Sequence, residues 1–125
     1  MKIFLILLAM IFMHIVDDYY LQGVLAKMKQ KCWWEENAPQ EQYKHDYKVA
    51  LIMHAFSWAF MIMIPYIIVG INEYFACIAI LTNASIHAII DNLKANKKAV
   101  NLVVDQTAHI LQVFVTWLLA IFLGF

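Results

Sequence analysis

Three segments of this chain each set a histidine four residues from an aspartate: His14 with Asp18, His87 with Asp91, and Asp105 with His109. On an α-helix such positions share a face, so each pair converges on one ion or bonds to itself. A fourth segment supplies His54, with Ser57 and Trp58 one turn on. Imidazole and carboxylate together suit Zn, Mn or Fe. Cys32 and Cys77 form no CxxC spacing, so neither a disulfide framework nor a cysteine-type zinc site is indicated. Four histidines and at least three aspartates exceed the tetrahedral shell of a single zinc ion. Two arrangements remain open: a two-metal centre with a bridging carboxylate, or one metal whose histidines are oriented by aspartates behind them. Mutual satisfaction between helices explains one His/Asp pair as well as a metal does, but three pairs and His54 together less well.

The elements that must position these residues are membrane helices. The chain has 125 residues, of which 64% are hydrophobic and only 14% charged, and its mean hydropathy is +0.68. A soluble domain carries about 25% charged residues and encloses far less apolar material at this size. Segments of about 20 apolar residues match a bilayer core, and four are present, at about Ile3 to Gln22, Val49 to Val69, Tyr74 to Leu93 and Val100 to Phe122. The expected fold is therefore one all-α, integral membrane domain over residues 1–125, a four-helix bundle. The first connection, Gly23 to Lys48, has room for a short amphipathic interfacial helix around Trp33 and Trp34. The other two connections are short, so sequential helices should be antiparallel neighbours. Pro65 should kink the second helix without ending it. Met1-Lys2 and the apolar run after it also fit the start of a signal peptide; with no A-x-A-like site following, the run is read as a retained first helix.

Nine lysines, no arginine and nine acids leave no net charge, and nothing points to nucleic acid. Eight of the nine lysines fall in the first and third connections. The positive-inside rule then puts those connections in the cytoplasm and both termini outside it, as for a multi-pass protein of a bacterial inner membrane. Depth gives an independent check on the site. His14 and Asp18 come late in the first helix, His54 early in the second, His87 and Asp91 late in the third, and Asp105 and His109 early in the fourth. With alternating helix directions, all lie within about two turns of the lysine-rich face. The inward stripes continue through Gln22, Asn83, Gln112 and Thr116. Asp17, one position off the His14/Asp18 line, ranks below Asp18. His45 is expected in water, Trp33, Trp34 and Tyr19 at the membrane interface, and Lys94 either on a phosphate group or simply in the cytoplasmic charge belt.

Read together, His14-Ile-Val-Asp-Asp18-Tyr-Tyr-Leu-Gln22, His54, His87-Ala-Ile-Ile-Asp91-Asn-Leu-Lys94 and Asp105-Gln106-Thr-Ala-His109 resemble the small bacterial and phage membrane proteins of domain of unknown function 3307. The resemblance spans nearly the whole chain and implies no particular activity. A looser likeness, to bacterial inner-membrane metal-dependent hydrolases, suggests hydrolysis; the long aromatic first connection departs from it.

The expectation from these readings is a membrane-embedded hydrolase using one or two divalent ions, Zn ahead of Mn or Fe. It would cut a phosphate or ester bond of a lipid-like substrate at the cytoplasmic leaflet. His14, Asp18, His54, His87, Asp91, Asp105 and His109 are the candidate metal ligands. Asp18 and Asp105 are the candidate bases, and Lys94 would steady a phosphate. No GxSxG elbow surrounds Ser57 or Ser85, which argues against a serine hydrolase. The rivals are a metal or proton transport element, a haem or di-iron redox protein, and a non-catalytic phage or bacterial protein that binds a host membrane partner. Transport needs polar residues across the whole membrane, whereas Ile3 to Met13 and Val113 to Phe125 are apolar apart from Thr116. A homo-oligomer is compatible with so small a chain.

Overall fold

Leu, Ile, Met and Ala dominate the apolar runs, and a backbone in hydrocarbon satisfies its polar groups only within a helix or a closed barrel. The computed structural model describes residues 2–123, and among them the chain is helical with no strand. Helix α1 (Lys2–Ile15) runs on into a π-helical turn (Val16–Leu21). The first connection holds α2 (Leu25–Met28), α3 (Lys31–Asn37) and a 3-10 turn (Glu41–Tyr43). Three long helices follow, α4 (Asp46–Val69), α5 (Glu73–Ala95) and α6 (Leu102–Leu123). Four helical segments are long and apolar enough to cross a membrane.

Local chemistry sets the boundaries. The expected second helix starts at Val49, but α4 starts at Asp46, an acid well placed in the first turn of a helix. It continues through Pro65 to Val69 and stops at Gly70, whose φ of 91° closes the left-handed cap. Asn72 then caps α5, its Oδ1 accepting from the Phe75 N–H at 3.1 Å. In the first connection the Trp34 indole donates to the Met28 carbonyl at 2.6 Å and stacks on Tyr43. Trp34 thereby pins the connection to itself.

Burial runs opposite to that of a protein in water. Phe4, Leu8, Ile68 and Phe122 are exposed, while His87, Asp105 and His109 are fully buried. An exterior of this kind is stable against lipid, and ionisable groups in such a bundle turn inward. Ala55 and Ala59, both buried, let α4 approach its neighbours closely, and its main partners are α5 and α1. One part of the interior is apolar, built on Met10, Ile62, Met63, Tyr66 and Val113. The rest is polar.

Asn83, Gln112 and Thr116 staple α5 to α6. The Asn83 amide donates to Thr116 Oγ1 at 2.9 Å, and the Gln112 amide donates to Asn83 Oδ1 at 3.0 Å and to its backbone carbonyl at 2.9 Å. Such bonds in membranes are worth about 0.6 kcal/mol on average. Asn83→Leu breaks several at once and should lower unfolding stability in detergent by about 1 to 2 kcal/mol; an unchanged unfolding midpoint would show that the staple contributes nothing.

Candidate functional site

The end of the first membrane segment decides how many carboxylates enter the site. On an α-helix Asp17 and Asp18 would diverge by about 100°, with one facing the bundle. The π turn at Val16–Leu21 widens the helix, and both carboxylates point inward. Asp17 is buried; its Oδ1 accepts from Ser57 Oγ at 2.7 Å and its Oδ2 lies 3.6 Å from His54 Nδ1. Asp18 Oδ1 lies 3.2 Å from His54 Nε2, and its Oδ2 accepts from the Gln106 amide at 3.2 Å.

His54 stands at the middle of the cluster. Its Nε2 is 3.2 Å from His87 Nε2, 3.4 Å from Asp91 Oδ2 and 2.8 Å from the Gln22 amide. His87 Nε2 lies 3.7 Å from Asp91 Oδ2 and 4.0 Å from Asp18 Oδ1. The His87 ring packs against both Trp58 and His109, with centroids 4.2 and 4.0 Å away, which restricts its plane. On the far side, His109 Nε2 is 3.3 Å from Asp91 Oδ1 and 3.5 Å from Asp105 Oδ1. The Nδ1 atoms of His87 and His109 make no hydrogen bond, so both rings meet the carboxylates through Nε2.

Ligand atoms of Asp18, His54 and His87 lie within 4.8 Å of one another, and so do those of His87, Asp91 and His109. His87 belongs to both sets, and six of the seven expected metal ligands therefore sit together once Asp105 is counted beside His109. His14 belongs to neither set. Its Nδ1 accepts the Trp58 indole N–H at 2.8 Å and lies 3.7 Å from Asp18 Oδ2. His45 and Tyr19 are exposed.

A family model described as "Protein of unknown function (DUF3307)" matches residues 6–124. The chain belongs to this family. No curated protein and no solved structure matches it.

In this DUF3307 member two lysines also pair with the clustered carboxylates. Lys29 Nζ meets Asp91 Oδ2 at 2.5 Å, and Lys94 Nζ meets Asp105 Oδ2 at 2.6 Å. From the sequence Lys29 is one more basic residue of a lysine-rich connection; nothing in its spacing marks it as the one that turns inward. Gln106 is likewise silent in the sequence, yet its amide joins Asp18 to Asp105. Regular α-helical spacing puts Asp17 off the His14/Asp18 line, and the π turn brings it in. Four carboxylates, Asp17, Asp18, Asp91 and Asp105, thus share the interior with two ammonium groups. With neutral histidines, two negative charges are left over, the complement of one divalent cation.

Removing one partner of a buried ion pair costs about 3 to 5 kcal/mol because the other is stranded. Lys29→Met should therefore destabilise the protein by about 3 kcal/mol, and the double variant Lys29→Met/Asp91→Asn by less. Equilibrium unfolding in detergent measures both. A neutral single variant would mean that Lys29 does not balance Asp91.

Proposed function

We propose that this chain is a membrane-embedded, metal-dependent hydrolase that acts at the cytoplasmic leaflet of a bacterial inner membrane on a phosphate or ester bond of a lipid-like substrate. One observation carries the proposal. His54 Nε2, His87 Nε2 and Asp91 Oδ2 form a triangle with sides of 3.2, 3.4 and 3.7 Å. Ligands about 2.0 to 2.2 Å from a tetrahedral zinc ion stand about 3.3 to 3.6 Å apart. Two histidines and one carboxylate leave a fourth position open, as catalytic zinc sites do.

A divalent ion there would polarise the scissile bond and bring the pKa of bound water toward 7. The chain's own residues do the rest. Asp18, 3.2 Å from His54 Nε2 and the least enclosed of the clustered acids, is placed to take the proton from that water. Asp17 Oδ2 stands 3.6 Å from the opposite ring nitrogen of His54, where its charge favours a proton on Nδ1 and leaves Nε2 for the ion. Lys94, a third exposed at the rim of the site, offers positive charge to a phosphate.

A lipid-like substrate is supported by an open apolar groove of about 600 Å³ between α5 and α6. Phe75, Ile78, Ile86, Ile90, Leu111 and Leu119 are among its lining residues. It adjoins the site without including any of the clustered histidines or aspartates; Ile86 and Ile90 flank His87 and Asp91 on the same helix. Transport is the weaker reading, because buried Met10, Ile62, Met63 and Tyr66 fill the interior outside the polar region.

Elemental analysis of tag-free protein should find at least about one equivalent of Zn, Mn or Fe, with about one equivalent lost in His54→Ala and in His87→Ala. Asp18→Asn should keep its metal yet hydrolyse lipid phosphates or esters about 100-fold more slowly or worse. Metal-free wild type that cannot be loaded would sink the proposal. Metal without hydrolysis of any lipid ester or phosphate, and with full biological effect in His87→Ala, would leave a protein that only binds a partner.

Orientation has its own test. Cys32, exposed on α3, should react with a membrane-impermeant maleimide only after the inner membrane is permeabilised, in a Cys77→Ser background. Labelling in intact spheroplasts would reverse the assigned topology.

A further inference from the structure

The Asp91 carboxylate faces two ways. Its Oδ2 turns to His54 and His87, at 3.4 and 3.7 Å, and its Oδ1 turns to His109, at 3.3 Å. A single ion on the His54 side uses one of these oxygens and leaves the other half of the cluster unexplained.

That other half has the features of a second site. His109 Nε2 lies between two carboxylate oxygens, Asp91 Oδ1 at 3.3 Å and Asp105 Oδ1 at 3.5 Å. A ring nitrogen carries at most one proton, so it cannot donate well to both. Asp105 Oδ1 is in fact buried without a hydrogen bond, in a residue with no exposed surface. An orphaned carboxylate oxygen at this depth is costly. The orphan is held in place, because Lys94 and Gln106 both bond to Asp105 Oδ2, at 2.6 and 3.1 Å, and turn Oδ1 inward. The two separations again match the about 3.3 to 3.6 Å between ligands of one tetrahedral ion.

We infer that the centre is binuclear: a second divalent cation binds His109 Nε2, Asp91 Oδ1 and Asp105 Oδ1, and Asp91 bridges it to the first. The inference rests on the metal site proposed above. A carboxylate bound through both oxygens suits ions about 3.5 to 4 Å apart, the spacing of two-metal hydrolytic centres. It also sharpens the substrate class. One divalent ion neutralises the two unbalanced carboxylates; a second gives the site two positive charges in excess, which favours the anionic phosphate ester over the neutral carboxylic ester.

The experiment is reconstitution of chelator-stripped, tag-free protein with Mn(II) in detergent, read by elemental analysis and by electron paramagnetic resonance. Wild type should hold about two equivalents with a spin-coupled spectrum. Asp105→Asn should fall to about one equivalent, uncoupled, and His54→Gln should keep only the His109-side ion. The coupled spectrum of wild type stands whether or not either variant folds. About one equivalent with the spectrum of an isolated ion overturns the second site and leaves the first intact. Two coupled ions undiminished in Asp105→Asn overturn the assignment of Asp105. Failure to bind any manganese or zinc overturns the second site together with the function proposed above.

Discussion

Charge inside a bilayer has to be answered by charge, and this bundle is organised around that demand. An aspartate at the centre of a membrane helix costs about 2.5 to 3.5 kcal/mol on insertion scales, and four carboxylates lie in the polar interior here. Two are met by ammonium groups, and His54, the Ser57 hydroxyl and the Gln106 amide surround the rest. The consequences spread outward. Trp58 is spent on fixing two histidines, one through its N–H and one through its face. The first connection has to fold back across the bundle so that Lys29 arrives at Asp91. The exterior is left to Leu, Ile and Phe, which need only be apolar.

Much of this was legible in the residues. The four spans follow from hydropathy, and their observed ends differ from the expected ones by a few residues where a cap or an acid decides the boundary. The pairing of His87 with Asp91 and of Asp105 with His109 follows from helical spacing, and their meeting follows from matched depth. What stayed hidden depends on geometry that a regular helix does not have, or on contacts far apart in the chain. Asp17 was concealed by the π turn. Lys29 and Gln106 were concealed because their partners lie 62 and 88 residues away, and one lysine among five in a loop carries no local mark. His14 carries a contact of the same kind: its spacing to Asp18 is that of a ligand pair, and the tryptophan from α4 that bonds its Nδ1 lies 44 residues away.

The lysines also join two properties usually treated apart. Loop lysines set orientation through their number, irrespective of where each side chain ends. Lys29 comes from the first connection and Lys94 from the last turn of α5, and each closes on a different aspartate. The charge balance of the site therefore draws on the same lysines that the positive-inside rule counts.

The π turn has a consequence for how such a site arises. A π turn accommodates one more residue than an α-helix of the same rise needs, without displacing the flanks. Before it, α1 keeps Met10 and His14 packed on the bundle; after it, the chain still delivers Lys29 to Asp91. The second carboxylate of the Asp17–Asp18 pair is thus an addition that the scaffold absorbs locally. A helix one residue shorter would retain its packing and its tether while presenting a single acid, so the acidity of this site is separable, by one codon, from the architecture that holds it.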